Sequence, residues 1–153
     1  IGIFRSSSGL WAVRGVTRCY FGGAADQPVY WYVESPGFSG RPIVIFRETS
    51  GLWAFRGITR FYFGGTGDQP LSGDFTGDGT GMAGIFRPSS GLWAIIGTTR
   101  VYFGGSSDTP VPAVYRGDRR DEIAVFRPAS GLWAVRGVSR LYFGGSSDLP
   151  VTR

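Results

Sequence analysis

The segment from Ser89 to Pro110, SSGLWAIIGTTRVYFGGSSDTP, recurs with small changes around Trp11, Trp53 and Trp133. From one tryptophan to the next the spacings are 42, 40 and 40 residues. A period of this size is one small supersecondary unit set beside its copies, which restricts the chain to solenoids, propellers or related arrays. Units of this kind close no core alone and bury their apolar faces against their neighbours.

The last copy separates most cleanly into segments. Glu122 to Arg127 (EIAVFR) is an apolar run, and Pro128-Ala129-Ser130-Gly131 after it is turn chemistry, so a hairpin into Leu132 to Arg136 (LWAVR) is expected. Gly137-Val138-Ser139 is a second turn, and Arg140 to Phe143 (RLYF) is a third strand closed by Gly144-Gly145. Leu149-Pro150-Val151 begins a fourth extended piece, which its proline assigns to a sheet edge or a strand start. Ile123 and Val125 point one way and Ala124 and Phe126 the other, as in a sheet covered on both faces. No stretch has the length and period of a helix. The fold class expected is therefore all-β, a β-propeller-type array of four blades with three to four short antiparallel strands each. The units run 1–28, 43–70, 83–110 and 123–151 within a single repeat domain, 1–153, and are joined by variable connectors at 29–42, 71–82 and 111–122.

Glycine at 26 residues and aromatics at 16% fit many short strands and tight turns, and argue against disorder. All sixteen basic residues are arginine, and the net charge is +5. That balance favours acidic partners. Most of the arginines simply follow the repeat, however, so nucleic-acid binding is not expected. Cys19 takes a position filled elsewhere by Phe61, Val101 and Leu141, and reads as a small buried apolar residue. No apolar run reaches the roughly 18 residues of a membrane span, and no signal-peptide pattern opens the chain. The opening at Ile1, inside what reads as a strand, is taken as the start of a mature or excised piece.

With no histidine, no thiol–base pair and no repeated carboxylate pair, no catalytic constellation is found, and the chain is not expected to be an enzyme. Four features remain as candidate sites. Asp74-Phe75-Thr76-Gly77-Asp78-Gly79 approaches a calcium loop, with Asp74, Thr76 and Asp78 as weak metal ligands; a Gly-Asp turn without metal is the favoured reading. The matching loop at Val114–Arg119 places Arg116 where a ligand belongs, and Arg116, Arg119 and Arg120 with Asp118, Asp121 and Glu122 read as a surface ion network. Tyr30, Trp31 and Tyr32 are either an exposed patch for a sugar or protein, or strand residues half buried against the next blade. Arginine columns at Arg5, Arg47, Arg87, Arg127 and at Arg18, Arg60, Arg100, Arg140 are candidates to pair with Asp26, Asp68, Asp108 and Asp148 and so tie one blade to the next. A bidentate pair would explain why lysine never substitutes. The four repeated tryptophans are expected to be core.

Asp74–Gly79 followed by Ala83-Gly84-Ile85-Phe86-Arg87-Pro88-Ser89-Ser90-Gly91-Leu92-Trp93, together with Ile123–Trp133 (IAVFRPASGLW), resembles the bacterial FG-GAP-like or VCBS-type repeats. The likeness covers nearly the whole chain. It implies a propeller of the integrin-head type from secreted or surface-attached proteins, with calcium in the Asp loops; some propellers of similar build are lectins. Only Asp74 and Asp78 match the family's calcium positions, since Met82, Val114 and Arg116 replace ligands, and family members carry more than the four units present here. The function expected is a non-catalytic extracellular structural or adhesion scaffold that associates with itself into a larger ring or a filament. The alternative is a lectin with glycan sites between blades. Calcium at one loop is the only cofactor considered.

Overall fold

The computed structural model describes residues 2–31, 34–35, 38–39 and 42–152. Ile1 and Tyr32, both named above, lie outside them. In chain order the strands are β1 (Gly2–Arg5), β2 (Leu10–Val13), β3 (Thr17–Tyr20), β4 (Gln27–Val29), β5 (Glu34–Ser35) and β6 (Phe38–Ser39). There follow β7 (Val44–Arg47), β8 (Leu52–Phe55), β9 (Thr59–Tyr62), β10 (Gln69–Gly73), β11 (Met82–Arg87) and β12 (Leu92–Ile95). The last are β13 (Thr99–Tyr102), β14 (Thr109–Pro110), β15 (Ala124–Arg127), β16 (Leu132–Val135) and β17 (Ser139–Tyr142). Helical geometry among the described residues is confined to a 3-10 turn at Pro128–Ser130, closed by Gly131 at φ 65°. None of it is long and apolar enough to cross a membrane.

The described chain falls into two compact units, Ile1–Tyr30 with Pro42–Thr66, and Trp31–Arg41 with Gly67–Arg153. The first holds a three-stranded sheet, β1-β2-β3, and a four-stranded one, β4-β7-β8-β9. The second holds β10-β11-β12-β13, β14-β15-β16-β17 and the small hairpin β5-β6. Every pairing is antiparallel, and the all-β class expected from the turns and apolar runs is the class found.

The sheets are out of phase with the sequence repeat by one strand. The Asp-x-Pro piece does not close the sheet of its own repeat. It opens the next one: Gln69↔Phe86, Pro70↔Ile85 and Leu71↔Gly84 pair β10 with β11, and Gln27↔Phe46 and Thr109↔Phe126 are the same pairing elsewhere. Proline lacks an N–H for a ladder, and these strands accordingly lie at a sheet edge.

Within each sheet a ring column fixes the register. Phe4, Phe46, Phe86 and Phe126 sit opposite Trp11, Trp53, Trp93 and Trp133, with centroids 4.9–5.3 Å apart. Each indole N–H also donates to a main-chain carbonyl, that of Phe21, Phe63, Phe103 or Phe143, at 2.9–3.0 Å. Each repeated tryptophan thus has its one polar atom satisfied; Trp53 and Trp93 are fully buried core residues, whereas Trp11 and Trp133 are partly buried. Cys19 is buried opposite Trp11.

In the second unit, Phe86, Trp93 and Ile95 of the third sheet pack against Val125 and Ala134 of the fourth, with Ile123 beside them. Ala124, Phe126 and Val135 occupy the opposite face of the fourth sheet, with Val111. The alternation along residues 123–126 is that of a sheet packed on both faces.

Candidate functional site

The repeated arginine and aspartate come together as bidentate pairs. Arg47 Nε and Nη2 donate to the two carboxylate oxygens of Asp26 at 2.8 and 3.0 Å; Arg87 makes the same fork on Asp68 at 2.7 and 2.9 Å, and Arg127 on Asp108 at 2.7 and 3.0 Å. In each pair the carboxylate is inaccessible while the arginine side chain stays 41% exposed. The aspartate's hydrogen bonds and charge hold each guanidinium pKa above its usual value. The geometry follows from the strand phase. The aspartate lies in the crossover from one repeat and the arginine ends the adjacent strand of the next, so each pair locks an incoming strand to its sheet. The other column, Arg18, Arg60, Arg100 and Arg140, is exposed. Asp148 and Arg5 form no ion pair among the described residues.

Asp74, Thr76 and Asp78 share one loop, folded around the Asp74 carboxylate. Its Oδ1 accepts the N–H groups of Thr76, Gly77 and Asp78 at 3.2, 2.6 and 3.2 Å, and its Oδ2 accepts that of Gly79 at 2.7 Å. The Thr76 hydroxyl donates to Oδ1, and Asp78 accepts the Thr80 N–H, which holds its carboxyl below the usual range. Four main-chain N–H groups thus converge on one carboxylate. Among the described residues no group of three or more acidic, cysteine or histidine side chains could hold a metal. The N–H bonds hold the loop in its turn around the Asp74 carboxylate. The melting temperature is expected to be the same with calcium and with a chelator; a calcium-dependent rise would show the loop rearranging around the ion.

The third connector is organised differently from the surface network its charge run implied. Glu122 is only 4% exposed. It stands where the preceding repeat has Met82, and an inward position explains its burial. Its Oε2 accepts the Tyr115 N–H at 2.8 Å, and its Oε1, which makes no hydrogen bond, lies 3.7 Å from Arg116 Nε. Arg116 also donates to the Gly137 carbonyl at 2.7 Å. Asp118 accepts the Arg120 N–H, and the Arg116–Glu122 contact is the only ion pair of the expected network among the described residues. The repeat register was the available signal: position 122 aligns with a partly buried Met. Burial and the Glu122 and Asp121 charges push the Tyr115 phenol up to about 12, and its hydroxyl donates to Val111. Arg116 and Glu122 line a cleft of about 230 Å³ together with Thr98, Thr99, Arg120, Asp121 and Arg136.

Asp121 joins the two connectors of this unit. Its N–H donates to the Asp74 carbonyl and its carboxylate accepts the Asp74 N–H, both at 2.7 Å. Burial, then the charges of Asp74 and Glu122, raise its pKa, partly offset by the Asp74 bond. A raised folded-state pKa means that the native chain takes up this proton before the unfolded chain as pH falls. This term therefore gains stability downward through the folded pKa and is flat below the unfolded one. Asp121→Asn keeps an acceptor and removes the charge, so it is expected to be more stable than the parent at pH 7. The gain is reduced by the residue's part exposure and should vanish in acid. Urea unfolding at several pH values reads it.

Of the aromatic trio, Tyr30 is 58% exposed and Trp31 only 7%. The Trp31 ring is therefore not offered to a ligand, and the exposed-patch reading fails at that residue. No protein-family model, curated protein or solved structure matches the chain.

Proposed function

We propose that the chain is a non-catalytic scaffold module of a secreted or surface-attached protein, and that it associates with copies of itself. Its sheets would be propeller-type blades, a reading supported by the period of 40 residues, the short antiparallel turns and the packing of sheet on sheet in the second unit. The observation that carries self-association is apolar exposure on the last sheet. Leu141 is 50% exposed and Phe143 76%, followed by Leu149 at 86% and Val151 at 90%. Their counterparts Phe61, Val101, Phe63 and Phe103 are all partly buried. Exposed apolar side chains of this kind mark a surface that another element covers. Light scattering across a concentration series tests the proposal: mass is expected to rise with concentration, and a monomer throughout would refute it. A second reading, carbohydrate binding, draws only on the exposed Tyr30 ring; glycan binding lost in Tyr30→Ala would favour it.

A further inference from the structure

Resting on the secreted or surface-attached part of that reading, we infer that the last strand of each sheet, β3, β9, β13 and β17, presents a tyrosine and an arginine as a binding pair for an acidic polysaccharide.

Strand alternation builds the pair. In the sheet β4-β7-β8-β9, Arg47↔Leu52 and Leu52↔Tyr62 make one row across the strands, and Ile45↔Ala54 and Ala54↔Arg60 make the next but one. Tyr62 and Arg60 therefore share a face, while Phe61 between them turns to the other and stacks on Trp53. The sheet β10-β11-β12-β13 repeats this with Arg87, Leu92 and Tyr102 in one row and Ile85, Ala94 and Arg100 in the other. Tyr20 with Arg18, and Tyr142 with Arg140, hold the same places.

The four rings are 69–74% exposed, and Tyr62 and Tyr102 of the two interior repeats are as open as the others. Each strand lies at a sheet edge, where a charged side chain discourages pairing with a further strand. That accounts for the arginine alone. It does not account for a large ring standing in water beside it in every repeat, a position from which the ring contributes little to the core.

The charge on these strands is uncompensated. Arg60 and Arg100 are exposed and enter no ion pair among the described residues, whereas Arg47 and Arg87 are neutralised by Asp26 and Asp68. No aspartate or glutamate occurs from Gly9 to Ala25, Gly51 to Gly67, Gly91 to Ser107 or Gly131 to Ser147, and these stretches hold seven arginines. Positive charge without a counter-charge complements an anion.

The ring selects the kind of anion. Residues two apart on a strand are about 6.5–7 Å apart, close to the span of one sugar unit. A pyranose can lay its C–H face on the tyrosine and meet the phenol with a hydroxyl, and its carboxylate then reaches the guanidinium, which offers parallel donors. One pair binds weakly. The second unit alone carries two, on β13 and β17, and a polymer that engages more than one gains by avidity.

Calorimetric titration of the whole chain at low salt tests this, with polygalacturonate, neutral dextran and a single-stranded thymidine oligomer as probes. Polygalacturonate is expected to bind and dextran not to, and added salt should weaken the binding. Tyr62→Ala combined with Tyr102→Ala is expected to lower the affinity about tenfold. Arg60→Gln combined with Arg100→Gln should lower it at least as much and flatten the salt dependence. All four positions are exposed, so folding is not at stake, and circular dichroism verifies that. Absence of polygalacturonate binding overturns the inference. Parental affinity in the tyrosine variant overturns it too, because only diffuse charge attraction would remain. Thymidine-oligomer binding as tight as that of polygalacturonate would overturn it in favour of a nucleic acid. Light scattering without polymer keeps the two readings apart: a chain that assembles but ignores polygalacturonate refutes this inference alone, and one that binds it as a monomer refutes self-association alone.

Discussion

Arg127→Ala is expected to lower the unfolding free energy by about 3 kcal/mol, the lower end of the range for leaving a buried carboxylate without its partner. The Asp108 side chain is inaccessible, whereas the arginine is 41% exposed and its own desolvation is modest. Arg127→Lys retains the charge but cannot place two parallel donors on Asp108, and should lose one charged hydrogen bond, about 1.5–3 kcal/mol. Arg5→Ala is the matched control at the same repeat position, and a change under about 0.5 kcal/mol is expected for a surface substitution. The comparison belongs in urea titrations at a concentration dilute enough to keep the chain monomeric. Equal losses at Arg5 and Arg127 would mean that the arginine column stabilises through something other than the aspartate.

The second large effect is a methyl group. Gly91 has φ 70°, and a Cβ there would collide with the Gly104 carbonyl oxygen. The two segments cannot separate cheaply, because the Gly91 carbonyl accepts the Phe103 N–H at 2.8 Å and Trp93 bonds the Phe103 carbonyl. Gly91→Ala is expected to cost about 2–4 kcal/mol from left-handed strain and a stretched hydrogen bond. Gly105→Ala, where an added Cβ meets open space, should be close to neutral. A thermal melt of the two variants side by side decides it; a Gly91→Ala chain as stable as Gly105→Ala would show that the turn has room to relax.

The parts legible in the sequence are those that local chemistry dictates. Gly-Leu-Trp after a turn gave the second strand of each sheet, and the absence of lysine pointed to the forked pairs at Asp26, Asp68 and Asp108. What could not be read is which sheet a short Asp-x-Pro strand joins. Three residues with a proline carry the same local signals whether they close one sheet or open another, and only the pairing of Pro70 with Ile85 decides it. Glu122 misled for a similar reason. Arg-Arg-Asp-Glu looks like solvated surface by charge, yet its last residue falls on an inward position of the repeat and is buried with the Tyr115 N–H as its donor. The Tyr30-Trp31 pair offered no periodicity to separate an exposed ring from a buried one.

Because every complete sheet borrows its first strand from the preceding repeat, the unit that could be inserted or deleted by recombination differs from the unit that folds. Removing one whole repeat between equivalent points would leave each remaining Asp-x-Pro strand facing an acceptable partner. Array length can then change by whole repeats without a new junction having to be invented. A single repeat lifted out alone would always carry one strand it cannot use and lack one it needs.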